Sequence, residues 1–335
     1  SGAGFLNIGA GITLQGFGNL RDNFVATINN AGTIVANTTG QTFNITPTTF
    51  NNTGTLTATA GTLNIAPTNF TNDTTGIVNV NGGTVTINPS SATDWINTGS
   101  INLNSGVLNL DGRLSNATLA GRFNRAGGTV NLTGVFTNTG TLDIGSAGLF
   151  GTGGLGALDS GTIRNGTLIS SDGTVLNSSG GSPTLENITI GSNLTQTGFL
   201  QFTNNLRLAN GVTVNKGNSQ WNFAPNFTIS TVSGNATIDN AGGQMFAAVS
   251  GAGFLNIGAG ITLQGFGSLR DNFAATINNA GAILANTAGQ TFTINPTTFN
   301  NTGTLSVVTG STLSSVNTSW TNSSTGIITG SGNIN

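Results

Sequence analysis

The sequence predicts an all-β chain wound as a parallel β-solenoid, with about 20–23 residues and three short strands per coil, and about 15 coils in its 335 residues. Three observations carry that expectation. A short motif (a large apolar residue, any residue, Asn, any residue, then usually Gly) returns mostly at intervals of about 20 to 23 residues. Between its copies apolar and polar residues alternate with period two, the pattern of a half-buried strand. The commonest residues are averse to helix: Gly fills 52 positions, whereas Glu, Lys and Met occur once each, as Glu186, Lys216 and Met245.

The motif reads Phe5-Leu6-Asn7-Ile8-Gly9, Ile28-Asn29-Asn30-Ala31-Gly32, Phe50-Asn51-Asn52-Thr53-Gly54, Trp95-Ile96-Asn97-Thr98-Gly99 and Phe136-Thr137-Asn138-Thr139-Gly140. Looser copies begin at Phe70, Leu114, Ile163, Leu185 and Phe202, and good ones resume at Ile238, Phe254, Ile277, Phe299 and Trp320. The first residue of each copy is expected to stack on its counterpart one coil away. These core positions are Phe5, Ile28, Phe50, Phe70, Trp95, Leu114, Phe136, Ile238, Phe254, Ile277, Phe299 and Trp320. The motif Asn is expected to form a ladder of side-chain amides through Asn7, Asn30, Asn52, Asn72, Asn97, Asn116, Asn138, Asn240, Asn256, Asn279, Asn301 and Asn322, with the following Gly in a left-handed turn. The functional counterparts of these two structural readings are a sugar platform and a ligand-binding row of amides.

Strands are legible between the motifs in Thr55-Leu56-Thr57-Ala58, Thr62-Leu63-Asn64-Ile65 and Val78-Asn79-Val80, with Gly, Asn and Pro as punctuation. One such coil cannot bury its inward face, because its strands lack both a sheet partner and a second layer. Stacking supplies both. Each strand pairs in parallel with its equivalent about 4.8 Å away, and inward Leu, Ile, Val and Phe cover one another at roughly 25 cal/mol per Å². Stability is therefore expected to grow with coil number.

A longer period lies over the short one. Residues 1–9 return at 250–258, an offset of 249 positions, and near-identity continues through Leu56 and Leu305. One extra residue then enters the second copy, so that Phe70 corresponds to Trp320 and Gly76 to Gly326. The expected organisation is a single continuous solenoid over 1–335, with 1–249 one long unit and 250–335 the start of a second copy. Loops or an enlarged coil are expected at the Gly-rich stretch 145–162 and between the copies that begin at Phe202 and Ile238. The Gly run lacks the Lys-Ser/Thr ending of a phosphate-cradling loop.

Composition removes several function classes. Charged residues are 5% of the chain, against about 25% in soluble globular proteins, so neutral Asn, Thr and Ser must carry the polar surface. Disorder is disfavoured because 36% of the chain is hydrophobic, including 19 Phe. A net charge of -2 supplies no basic field for nucleic acid. Cys is absent, which removes disulfides, thiolate nucleophiles and zinc–sulfur sites. No run approaches the ~20 apolar residues of a membrane span, and an export signal is expected upstream of residue 1.

At the Phe-x-Asn-x-Gly-x-Leu repeats, such as residues 50–56 followed by Thr62-Leu63-Asn64-Ile65, the sequence resembles the β-helical repeats of filamentous haemagglutinin-type adhesins and autotransporter passengers. The resemblance covers most of the chain. It implies a right-handed β-helix in a secreted or surface-anchored bacterial protein, used in attachment, biofilm matrix or sheath.

Parallel β-helices include polysaccharide-degrading enzymes, so the residue types of catalysis bear on the reading. His is absent, removing the usual base and zinc ligand. The ten acidic residues are scattered, and the densest polar cluster, Asp111, Arg113, Arg122 and Arg125, reads as a surface ion-pair patch. Asp22 recurs as Asp271 in the shared Leu-Arg-Asp-Asn-Phe, read as a local turn or ion pair rather than a calcium ligand. No catalytic, metal or cofactor site is expected. The function expected is a non-enzymatic extracellular or cell-surface fibre or stalk, part of a filament, surface layer or matrix. Its expected partners are copies of itself, end to end or side by side. A carbohydrate-binding adhesin passenger, with extracellular glycans as partners, is the alternative; a β-helix enzyme and an ice-binding protein rank below it.

Overall fold

The computed structural model describes residues 4–335 and is nearly all β, its parallel strands stacked in a β-solenoid of about 15 turns with little helix. The chain forms two compact units, Ser1–Thr162 and Ile163–Asn335.

In the first unit the strands Thr42–Ile45, Thr62–Ile65, Ile77–Ile87, Ser100–Leu110 and Thr129–Leu132 lie side by side. Their register aligns Phe43, Leu63, Val85, Leu108 and Val130 in one column and Ile45, Ile65, Ile87, Leu110 and Leu132 in the next. Every residue of both columns is buried. The intervening positions Asn44, Asn64, Thr86, Asn109 and Asn131 face outward and stay half-exposed. Period-two alternation thus becomes two faces, and a shift of one residue would exchange them throughout.

Two departures interrupt the first unit. Asn116–Leu119 forms a single helical turn, opened by a hydrogen bond from the Ser115 N–H to Thr118 Oγ1 at 3.1 Å. The Gly-rich stretch is turn-rich, and Arg125 fastens it: its guanidinium donates to the carbonyls of Gly127, Gly128, Phe150 and Gly154.

The second unit repeats the pattern through Phe254–Ile257, Thr276–Asn279, Thr298–Asn301 and Ser319–Asn322. The enlarged coil expected after Phe202 is absent. Strand Leu200–Leu208 pairs with Trp221–Phe223 and then with Phe227–Thr231, placing Phe223 directly beside Phe202. Phe223 is followed by Ala-Pro-Asn rather than by the motif, so the spacing concealed a coil of ordinary length. Phe202, Trp221, Phe223 and Phe227 make the aromatic core of this region, with Phe202 4.7 Å from Trp221 and 5.3 Å from Phe223 between ring centroids.

Candidate functional site

The most repeated arrangement of polar side chains is the buried amide ladder. In the first unit Asn30 Nδ2 donates to Asn52 Oδ1, Asn52 to Asn72 and Asn72 to Asn97, each at 2.8 Å, and Asn97 ends the row on the Thr118 carbonyl at 2.9 Å. In the second unit Asn279 donates to Asn301 at 2.8 Å and Asn301 to Asn322 at 2.7 Å. The second hydrogen of each amide fixes its orientation: Asn30 and Asn52 reach the carbonyls of Gly32 and Gly54. The first rung of each ladder is left with an orphan, since Asn30 Oδ1 and Asn279 Oδ1 have no donor. The cause is visible in the register, which puts Ile8 and Ile257 where a preceding Asn would stand.

Beside each buried ladder lies a column of apolar residues. Ile28, Phe50, Phe70 and Trp95 follow one another, Phe50 and Phe70 stacking at 6.0 Å and an 11° interplanar angle. Ile277, Phe299 and Trp320 form the corresponding row, and Leu114 lies beside Phe136.

Five expected positions fall elsewhere. Asn7 pairs with Asn29, not Asn30, and Asn256 with Asn278, not Asn279, so both belong to outward ladders. Phe5 and Phe254 consequently face solvent rather than the core. The motif alignment would have turned Leu6 and Ile8 outward to bury Phe5; burying two aliphatic residues outweighs burying one ring. Ile238 is buried, but in a column with Val214 and Leu263. Three further ladder positions differ in kind. Asn116 sits in the helical turn, its Oδ1 accepting from the Thr139 N–H at 2.8 Å, and buried Asn138 accepts from the Gly140 N–H at 3.1 Å. Asn240 stands in a separate column and serves a lysine.

The motif glycine also has a different reason from the one expected. Gly32, Gly54, Gly76 and Gly99 do not have positive φ. They are required because successive coils touch there: a Cβ on Gly54 would lie against the Gly32 carbonyl and 2.7 Å from the Ala31 carbonyl carbon.

The outward ladders run with opposite polarity. Asn29 donates back to Asn7 and Asn51 back to Asn29, while in the same strands Asn30 and Asn52 donate forward. Asn278 and Asn300 repeat this against Asn279 and Asn301. Adjacent Asn-Asn pairs were the sequence signal for a double ladder, one amide per face.

Removing one rung tests the buried row. Asn52→Leu keeps the branched shape but leaves Asn72 Oδ1 without its donor, while Asn30 retains the Gly32 carbonyl. The expected loss is about 2 kcal/mol, read as faster amide exchange in Thr49–Asn52 and Asn69–Asn72. Unchanged exchange would mean that the ladder contributes nothing.

One buried ionisable group was missed by sequence reasoning. Lys216 is 0% exposed, its Nζ donating to Asn240 Oδ1 at 2.8 Å and to the Ser219 carbonyl, 5.8 Å from the Trp221 ring centroid. Desolvation outweighs these contacts and lowers its pKa to about 7. The surrounding network is saturated: Trp221 Nε1 donates to Gln196 Oε1 at 2.7 Å, and Gln196 Nε2 donates to Ser178 Oγ at 2.8 Å. The cavity beside Gln196 and Trp221 measures about 10 Å³, the space of one water at most. A lone Lys in a period-two strand, Thr213-Val214-Asn215-Lys216, at an inward parity was the available signal.

The charged cluster does not form the expected ion-pair patch. Arg122 donates to the Thr98 carbonyl, Arg125 to the four carbonyls above, and Asp111 accepts from the Gly112 N–H at 2.6 Å. The long arginine side chains reach backbone carbonyls of neighbouring turns, which take the place of carboxylate partners. Asp22 likewise serves the backbone, accepting from the N–H groups of Ala26 and Thr48 at 2.9 Å, and Asp271 does the same with Ala275 and Thr297. The Thr48 bond above all holds the Asp22 carboxyl below its ordinary 3.8. Because the folded pKa is depressed, the stabilisation is present above the unfolded value and lost as pH falls through the folded one. The Ala26 and Thr48 amide resonances are therefore expected to titrate with a midpoint below 3.8. A midpoint at or above 3.8 would contradict this role.

Among the described residues no group of three His, Cys, Asp or Glu side chains is placed to hold a metal ion. No protein-family model matches the chain, and searches of curated proteins and of solved structures return no match. No helix among the described residues is long and apolar enough to cross a membrane. An open depression of about 720 Å³ lies in the second unit over Thr167, Thr189, Arg207 and Thr231.

Proposed function

We propose that this protein is a non-enzymatic structural fibre or stalk held outside the cell, belonging to a filament, surface layer or matrix. One observation carries the reading: within the amide rows, apolar columns and sheet columns, successive coils repeat the same contacts. Near-identical copies 249 residues apart are what such a design requires, because length is gained by duplication. The sparse charge and the hydrogen-bonded outer amides suit a surface exposed along its length. Electron microscopy and cell fractionation of native material test the proposal. Elongated particles in the surface or secreted fraction are expected; short capped monomers, or a cytosolic protein, would overturn it.

The depression over Thr167, Thr189, Arg207 and Thr231 favours one second reading, a carbohydrate-binding adhesin of the haemagglutinin type. It is open and of mixed lining, with an exposed guanidinium and threonine hydroxyls suited to sugar hydroxyls beside the apolar Ala209 and Val232. A glycan array separates the two, since binding lost in Arg207→Ala would favour the adhesin.

A further inference from the structure

The molecule holds the same strands in two environments. In the second unit Phe254–Ile257 lies beside Phe227–Thr231, with Phe227 opposite Leu255 and Ile229 opposite Ile257. Ile261–Asp271 lies beside Ala236–Ala247. Under that cover Leu255 and Ile261 are 0% and 1% exposed. Their equivalents 249 positions earlier, Leu6 and Ile12, are 49% and 50% exposed. Gly4–Ile8, Thr13–Gln15 and Gly18–Leu20 each pair on one side, with Ala26–Asn30, Thr33–Ala36 and Thr42–Ile45.

The glycines sharpen the comparison. A Cβ on Gly260 would lie against the Gly234 carbonyl and 2.6 Å from Thr231 Oγ1, and one on Gly267 would lie against the Gly243 carbonyl. Gly260 is thus glycine because the preceding coil passes close by. Its equivalent Gly11 has no positive φ and nothing within 4 Å, and Gly9 is equally open although Gly258 meets the Ile229 carbonyl at 3.1 Å. Nothing nearby in the first copy explains glycine at 9 and 11; the closely approaching coil of the second copy does.

We propose that the edge formed by residues 4–20 is a docking surface for a coil of the kind made by residues 212–247, continuous in the same polypeptide with residue 4. In the second copy that coil runs directly into the strand it covers, six residues separating Ala247 from Phe254. Its chemistry is specific: Phe227 and Ile229 at alternate positions to cover Leu6 and Ile8, Met245 opposite the equivalent of Leu20, and bare glycine carbonyls to pass over Gly11 and Gly18. The proposal deepens the fibre reading and rests on it for the tandem arrangement.

The test compares the 335-residue protein with a longer chain in which residues 163–249 are repeated ahead of Ser1, which recreates the junction between residues 249 and 250. Amide hydrogen exchange is read at 4–20 and at the equivalent 253–269. In the shorter protein, exchange at 4–20 is expected to be at least tenfold faster than at 253–269 and independent of concentration. In the longer chain the two segments are expected to match. Gly11→Val is expected to abolish that gain in the longer chain and to leave the shorter one unaffected. The proposal is overturned if the extension gives no protection, or if Gly11→Val makes no difference in the longer chain. It also falls if an unrelated stretch of coils, residues 55–141, protects equally well. Concentration-dependent protection in the shorter protein would assign the edge to the open strands of a second copy, which likewise overturns it. Short capped native particles would sink the fibre reading alone, leaving the exchange result to stand or fall by itself.

Discussion

Gly54→Ala is expected to destabilise its coil by about 4 kcal/mol or more, placing it among the exceptional single substitutions. The added methyl would meet the Gly32 carbonyl and the Ala31 carbonyl carbon, both backbone atoms held by the sheet. No rotamer relieves the clash, because Ala has none to change. The two coils must separate, breaking the bonds from the Thr53 and Gly54 N–H groups to the Asn30 carbonyl and from the Thr55 N–H to the Gly32 carbonyl. Coils separated in this way also pull Asn30 from Asn52, so the ladder and the sheet fail together. The measurement is amide exchange at Thr33–Ala36 and Thr55–Ala58, expected to approach that of an open segment. Gly303→Ala should behave alike, since its Cβ would meet the Gly281 carbonyl, whereas Gly11→Ala is expected to be neutral in the 335-residue protein. Similar losses at positions 54 and 11 would contradict close coil contact as the reason for the motif glycine.

Raising the pH from 7 to 9 is expected to stabilise the region around Lys216 by on the order of 2–3 kcal/mol, about 1.4 kcal/mol per pH unit. In the unfolded chain this lysine holds its proton up to its ordinary 10.5, and in the fold burial brings the value to about 7. Between those values the unfolded state binds more protons, so stability rises with pH. Below pH 7 the ammonium is charged in both states and the dependence vanishes. Neutral Lys216 can still donate to Asn240 and Ser219, so deprotonation relieves the charge without breaking the network. Urea unfolding followed by Trp221 fluorescence, with Trp95 and Trp320 replaced by Phe, would measure it. Lys216→Met is expected to remove the slope; a slope that persists in that variant would assign the effect to another group.

The fold was legible because two independent periodicities agreed. Alternation in Thr62-Leu63-Asn64-Ile65 fixed the faces, and the recurrence of Asn-x-Gly fixed the length of a coil. The amide rows through Asn30, Asn52, Asn72 and Asn97, and through Asn279, Asn301 and the exposed Asn322, lie at motif positions for that reason. What stayed hidden was register at individual copies. Asn7 and Asn256 match the motif letter for letter, yet Leu6 with Ile8 and Leu255 with Ile257 make a stronger inward pair, and parity follows the larger apolar area. The coil at Phe223 escaped notice because a single Phe carries it. Lys216 escaped because its partner Asn240 and the neighbouring Gln196–Trp221 pair converge from separate coils, which no local pattern records.

The neutral amide rows imply an indifference to ionic strength. Mobile ions weaken attraction between exposed charges over a distance of about 8 Å at physiological salt, but they have little purchase on a dipole bonded to another dipole at 2.8 or 2.9 Å. With only 8 basic and 10 acidic side chains among 335 residues, little of the cohesion between coils is of the kind that salt screens. The unfolding midpoint is therefore expected to be nearly the same in dilute buffer and in molar sodium chloride, so that fresh water and brine would serve the chain equally well.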